Sequence, residues 1–96
     1  MSPTLHARLE AAAEEAVIAY GNDAQLDVLQ EECCELAVEI SHRRRGRGDT
    51  RKLAEELADV IIMVEQAKRI VPKALLDEEL QRKLSKLERR LEGRRG

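Results

Sequence analysis

Apolar residues in this chain recur at helical spacing, and nowhere do they alternate with period two over a useful length. That excludes a sheet and commits the chain to helices. Ser2 and Pro3 read as a helix start, followed by Leu5, Leu9, Ala12, Ala13, Ala16 and Val17 as far as Tyr20, with Gly21 as the stop. Asn22 reads as the next cap, with Gln25 completing a capping box. The second stripe is Leu26, Leu29, Cys33, Leu36, Ala37 and Ile40, and the helix ends near Arg44 before a loop at Gly46 and Gly48. Asp49 or Thr50 caps a third helix that turns Leu53, Leu57, Val60, Ile61 and Val64 inward, and Pro72 ends it. A fourth segment, from about Asp77 to Glu92, spaces Leu80, Leu84, Leu87 and Leu91 as a short coiled-coil-like seam. The expected fold is all-α, a four-helix bundle formed by one domain over residues 1–92, with 93–96 as a disordered basic tail.

The chain has neither Phe nor Trp, and Tyr20 is its one aromatic residue, so Leu, Ile, Val, Ala and Met must build the core. A chain of this size buries only about 60–65% of the surface its unfolded form exposes. Four aliphatic helices therefore gain by associating, and a homodimer or homotetramer is expected. The net charge is −2 and its signs are segregated locally, which gives no overall attraction for nucleic acid. Cys33 and Cys34 are adjacent and cannot staple distant segments. No apolar run approaches the roughly 20 residues of a membrane span, and the N-terminus lacks the apolar core of a signal peptide. The expected location is cytoplasmic, with no membrane partner.

The stretch EECCELAVEISHRRRGRGD, starting at Glu31, crowds Glu31, Glu32, Glu35 and Glu39 together although like charges at helical spacing repel. Glu32 and Glu35 share one face of the second helix beside its apolar stripe, and Glu56 and Asp59 repeat the arrangement on the third. A short connection favours antiparallel packing of these two helices, which brings the four carboxylates together. Partly buried like charges raise their pKa values or recruit a cation. An oxygen-only ligand set suits Mg²⁺, or Mn²⁺ as its substitute, rather than zinc. The competing reading is a non-catalytic helical oligomerisation module, in which the acids form a solvated, carboxylate-rich face or pair with basic residues across an interface.

Other residues divide between the same two readings. The run His42-Arg43-Arg44-Arg45-Gly46-Arg47 either grips phosphate or complements a helix C-terminus as a solvated loop. Lys52 lies one turn before Glu56, where it meets a phosphate or pairs with an acid. Lys83 on the last helix either reaches a neighbouring site or faces solvent. Cys33 reads as core packing. No phosphate-binding glycine loop of the GxxxxGK[ST] type is present.

At the acidic clusters the sequence resembles the MazG family of all-α nucleoside triphosphate pyrophosphohydrolases, whose signature is EExxE followed by ExxD. Here these are Glu31-Glu32-Cys33-Cys34-Glu35 and Glu56-Leu57-Ala58-Asp59, set in YGNDAQLDVLQEECCELAVEIS and KLAEELADVIIMVEQ. The resemblance implies Mg²⁺-dependent hydrolysis of a nucleoside triphosphate to the monophosphate and pyrophosphate. It implies Glu32, Glu35, Glu56 and Asp59 as metal ligands, and Glu31 as either a carboxylate standing just behind them or a group that orients water. Lys52, Arg47 and Lys83 are the candidates for holding the substrate. The family's bundles are dimers or dimers of dimers. Relatives that hold the base between aromatic side chains differ from this chain, which has only Tyr20, His6 and His42 to stack.

Overall fold

The computed structural model describes residues 2–95, and its order is α1 (Leu5–Tyr20), α2 (Asn22–Arg44), α3 (Thr50–Ala67) and α4 (Lys73–Arg95). Among the described residues there is no strand, as the missing period-two alternation predicts. No helix among the described residues is long and apolar enough to cross a membrane.

The first helix starts later than Ser2-Pro3 suggests. Thr4 is extended, and its hydroxyl accepts from the Ala7 amide at 3.0 Å, so Thr4 is the cap. Gly21 ends α1 and, without a break, serves as the cap residue of α2, displacing Asn22 into the helix. Its φ of 84° explains why a single residue turns the chain there, since side-chain-bearing residues are strained in that region. At the start of α3 the Asp49 carboxylate accepts from the Lys52 amide at 2.7 Å. Gly48 makes the α2–α3 connection tight: a Cβ there would stand 2.9 Å from backbone atoms of Arg43. α4 extends beyond the expected bounds at both ends. It includes Gly93, Arg94 and Arg95 of the segment expected to be a disordered tail, while Gly96 lies outside the described residues.

α2 and α3 form the principal packed pair, and α1 lies mainly across α3 through the small, fully enclosed Ala13. The α2–α3 seam is rotated from the aliphatic stripes. On α2 the inward positions are Gln25, Leu29, Glu32, Leu36 and Glu39; on α3 they are Leu53, Glu56, Val60, Met63 and Ala67. Both sets follow the alternating three- and four-residue spacing of an antiparallel two-helix contact. Cys33, Ala37, Leu26 and Ile40 are exposed, and so are Leu57, Ile61 and Val64, contrary to the inward assignment. Among the described residues Ala13 and Met63 are the buried hydrophobic ones, whereas Gln25, Glu39, Glu56, Glu65 and Gln66 are buried polar ones. Two helices in contact cover only one flank of each broad apolar stripe. Here the covered flank is the one that carries acids.

α4 leaves the bundle after the Pro72 turn and packs against none of the other three helices among the described residues. Leu80, Leu84, Leu87 and Leu91 are consequently exposed. The chain is correspondingly open. Its radius of gyration is 16.5 Å, against about 13 Å for a compact domain of this length. It presents 7867 Å² of surface, against roughly 5,600 Å² for a folded monomer of its mass.

Candidate metal centre

The seam places acids where a two-helix contact ordinarily places leucine. Glu32 projects from the middle of α2 and is half-buried, Glu56 from the first half of α3 is buried, and Glu35 stands one turn from Glu32 at the open edge. Each offers a carboxylate oxygen, and the three oxygens lie within 4.8 Å of one another. One oxygen of Glu32 (Oε2) and one of Glu56 (Oε2) are fully enclosed and have no hydrogen-bond partner. Enclosed oxygens left without a donor are costly, and in native structures they call for a bound ion, a water or a functional role.

The electrostatics agree. Burial pushes the Glu32 carboxyl above its usual range, and the charges of Glu35, Asp59, Glu56 and Glu31 push it the same way. Asp59 is thus near enough to repel Glu32, although it is exposed and stands outside the trio of converging oxygens. Glu31 is exposed.

Lys52 supplies the local positive charge. Its Nζ is 3.0 Å from Glu56 Oε1 and 4.0 Å from Glu55 Oε2. The bond to Glu56 is the main cause of an ammonium held above its ordinary pKa, with the charges of Glu56, Glu55 and Glu39 adding to it against some desolvation. An open groove beside the trio is lined by Cys34, Glu35, Glu39, His42, Lys52 and Glu56. Arg47 sits in the exposed α2–α3 connection, where its amide donates to the His42 carbonyl at 2.8 Å. Lys83 lines a separate groove on α4 with Leu80, Leu84 and Leu87, and within one chain it is not brought to the carboxylates.

Glu39 lies outside both acidic motifs, yet it is buried in the same seam, with His42 Nδ1 at 3.7 Å and Lys52 within range of its charge. The signal that finds it is the spacing 25-29-32-36-39, which makes Glu32 and Glu39 equivalent heptad positions. A second acid, Glu65, belongs to a different arrangement at the far end of α3. Burial raises its carboxyl, but Lys68 and Arg69 bond to it and hold it below the usual range. Arg69 also donates to the Glu10 carbonyl of α1 at 3.3 Å, so this network ties α3 to α1. Glu65 is satisfied; Glu32 and Glu56 are not.

No curated protein and no solved structure matches the chain. The family model of the MazG nucleotide pyrophosphohydrolase domain matches residues 21–94, from the cap of α2 to the last turn of α4. With both acidic motifs inside that span, the chain belongs to the MazG nucleotide pyrophosphohydrolase domain family.

Proposed function

We propose that the protein is a divalent-metal-dependent nucleoside triphosphate pyrophosphohydrolase that converts a nucleoside triphosphate and water to the monophosphate and pyrophosphate in nucleotide-pool housekeeping. The observation that carries this reading is the convergence of Glu32, Glu35 and Glu56 with two enclosed, partnerless oxygens, in a chain of this family. The donor set fits Mg²⁺ or Mn²⁺: it is all oxygen, it is anionic, and neither His nor Cys belongs to the trio. Glu32, Glu35, Glu56 and Asp59 would hold the metal. When bound, it supplies charge neutralisation for the triphosphate and a more acidic water.

The remaining work falls to the chain's own side chains. In the proposed reaction a water oxygen bonds to the α phosphorus, the bridging α–β bond breaks and pyrophosphate leaves. Glu31, exposed beside Glu32, takes the proton that water releases. Lys52 and Arg47 border the carboxylates and the adjoining connection, where they counter the charge of the phosphates. Lys83 joins them only if it comes from a neighbouring chain.

Assembly as a homodimer or homotetramer is part of the same proposal, and the exposed surface supports it. The excess over a compact monomer is roughly 2,300 Å², more than the roughly 800 Å² each partner contributes to an ordinary stable interface. The outward flanks of both stripes, with Ile61 and Ile62 on α3 and Ile40 on α2, provide the apolar face such an interface needs.

A panel of natural and modified triphosphates with Mg²⁺, assayed for pyrophosphate, tests the reading. Wild-type protein should release pyrophosphate, while a variant with amides at Glu32, Glu35, Glu56 and Asp59 should not. Absence of pyrophosphate from every triphosphate tried would leave a helical oligomerisation module in its place.

A further inference from the structure

The two oxygens of Glu56 have different surroundings. Oε1 is 3.0 Å from Lys52 Nζ, whereas Oε2 is enclosed and partnerless. The residue itself is only 5% exposed, so solvent screens its carboxylate little. Lys52 is about half exposed and reaches the site from one turn earlier on the same helix, at the spacing that aligns side chains along a face. Glu39, buried one seam layer away, adds to the field that holds the ammonium there.

We infer that Lys52 is the resident counter-cation of the carboxylate site: it neutralises Glu56 through Oε1 while the site holds no metal, and its charge opposes entry of a divalent ion. This rests on the proposal that the trio binds a metal. The inference follows from the divided carboxylate. A cluster of acids with no cation would oppose folding by mutual repulsion, and it would attract a divalent ion whether or not a triphosphate were present. A tethered ammonium lowers both tendencies. It stabilises the empty site and weakens metal binding, so that tight occupancy waits for the triphosphate to bring its own negative charge. With that charge present, the flexible Lys52 stem lets the ammonium turn from Glu56 to a phosphate oxygen.

The test uses metal-stripped full-length protein, Mn²⁺ titration calorimetry and thermal unfolding followed by circular dichroism. Lys52→Met keeps the apolar stem and removes the charge. It should lower the melting temperature of the stripped protein and tighten Mn²⁺ binding roughly tenfold, as expected for deleting a unit charge a few ångströms from a divalent ion. Lys52→Gln, which remains polar for folding, should tighten binding in the same direction, and Lys52→Arg should restore wild-type affinity. Glu55→Gln, at the longer 4.0 Å contact, should change binding much less. Unchanged or weaker Mn²⁺ binding in both neutral variants, with wild type binding normally, would overturn the counter-cation role alone. Failure of wild type to bind Mn²⁺ would overturn the metal site and this inference together.

Discussion

Replacing Glu56 with Met should make the metal-free protein more stable, although the residue is among the most buried in the chain. Met has a similar length and fits a seam position flanked by Leu53, Val60 and Met63. The wild-type carboxylate has one enclosed oxygen with no partner, a defect that costs about 1–3 kcal/mol. Its ion pair is lost in the variant, but Lys52 is half exposed and solvent screens that attraction, so the loss offsets only part of the gain. The net expectation is a stabilisation of about 1–2 kcal/mol, or roughly 4–16 °C in melting temperature for a domain of this size. Thermal unfolding in excess chelator, at matched protein concentration because association shifts the midpoint, measures it. Mg²⁺ or Mn²⁺ should raise the melting temperature of wild type, and the same variant should lose that rise. A Glu56→Met protein that melts at or below the wild-type temperature without metal would refute the claim that the seam stores an unfavourable acid for function.

Three further outcomes follow from the same geometry. The Glu32 carboxyl is raised in the fold, so the stability tied to its protonated form is complete below the ordinary glutamate value of 4.5 and is lost as pH rises through the raised one. Metal-free Glu32→Gln should therefore melt above wild type at pH 7, and the gap should close toward pH 4.5; a gap constant across that range contradicts the assignment. Met63→Ala should destabilise by about 2–4 kcal/mol, because Met63 is one of the few enclosed apolar side chains; a loss below 1 kcal/mol by chemical denaturation would mean the α2–α3 seam is not a core. Light scattering should report a dimer or tetramer for wild type and a smaller species for the double variant Ile40→Glu, Ile61→Glu, whose positions lie on the outward apolar face, and a stable folded wild-type monomer at micromolar concentration contradicts the assembly.

Local signals in the sequence mark the helices well and their packing poorly. The Asp49 cap and the Gly21 turn are set by interactions within a few residues, which is why reading them in sequence locates the starts of α2 and α3 closely; Pro72 marks the end of α3 less closely, since that helix stops at Ala67 and Pro72 stands just before α4. The two acidic motifs are equally visible, and Glu32, Glu35 and Glu56 do converge. The buried face is another matter. Ranking side chains by hydrophobicity turns Leu26, Ile40, Leu57 and Ile61 inward and leaves Glu39 and Gln25 in solvent, whereas the α2–α3 contact does the reverse. The reason is physical: an aliphatic stripe wider than one helix contact does not say which flank meets the partner helix within the chain. Asp59 and Lys83 illustrate the same limit, because their distance from the trio depends on helix rotation and on where α4 goes after Pro72.

The products of hydrolysis reveal which phosphoanhydride bond the protein cleaves. Phosphorus NMR of a reaction run with Mg²⁺ in ¹⁸O-labelled water distinguishes every bond that can break. Attack at the α phosphorus should yield a nucleoside monophosphate carrying the label and unlabelled pyrophosphate, with turnover lowered by orders of magnitude in Glu35→Gln. A nucleoside diphosphate with free phosphate, or label in the pyrophosphate, would contradict attack at the α phosphorus.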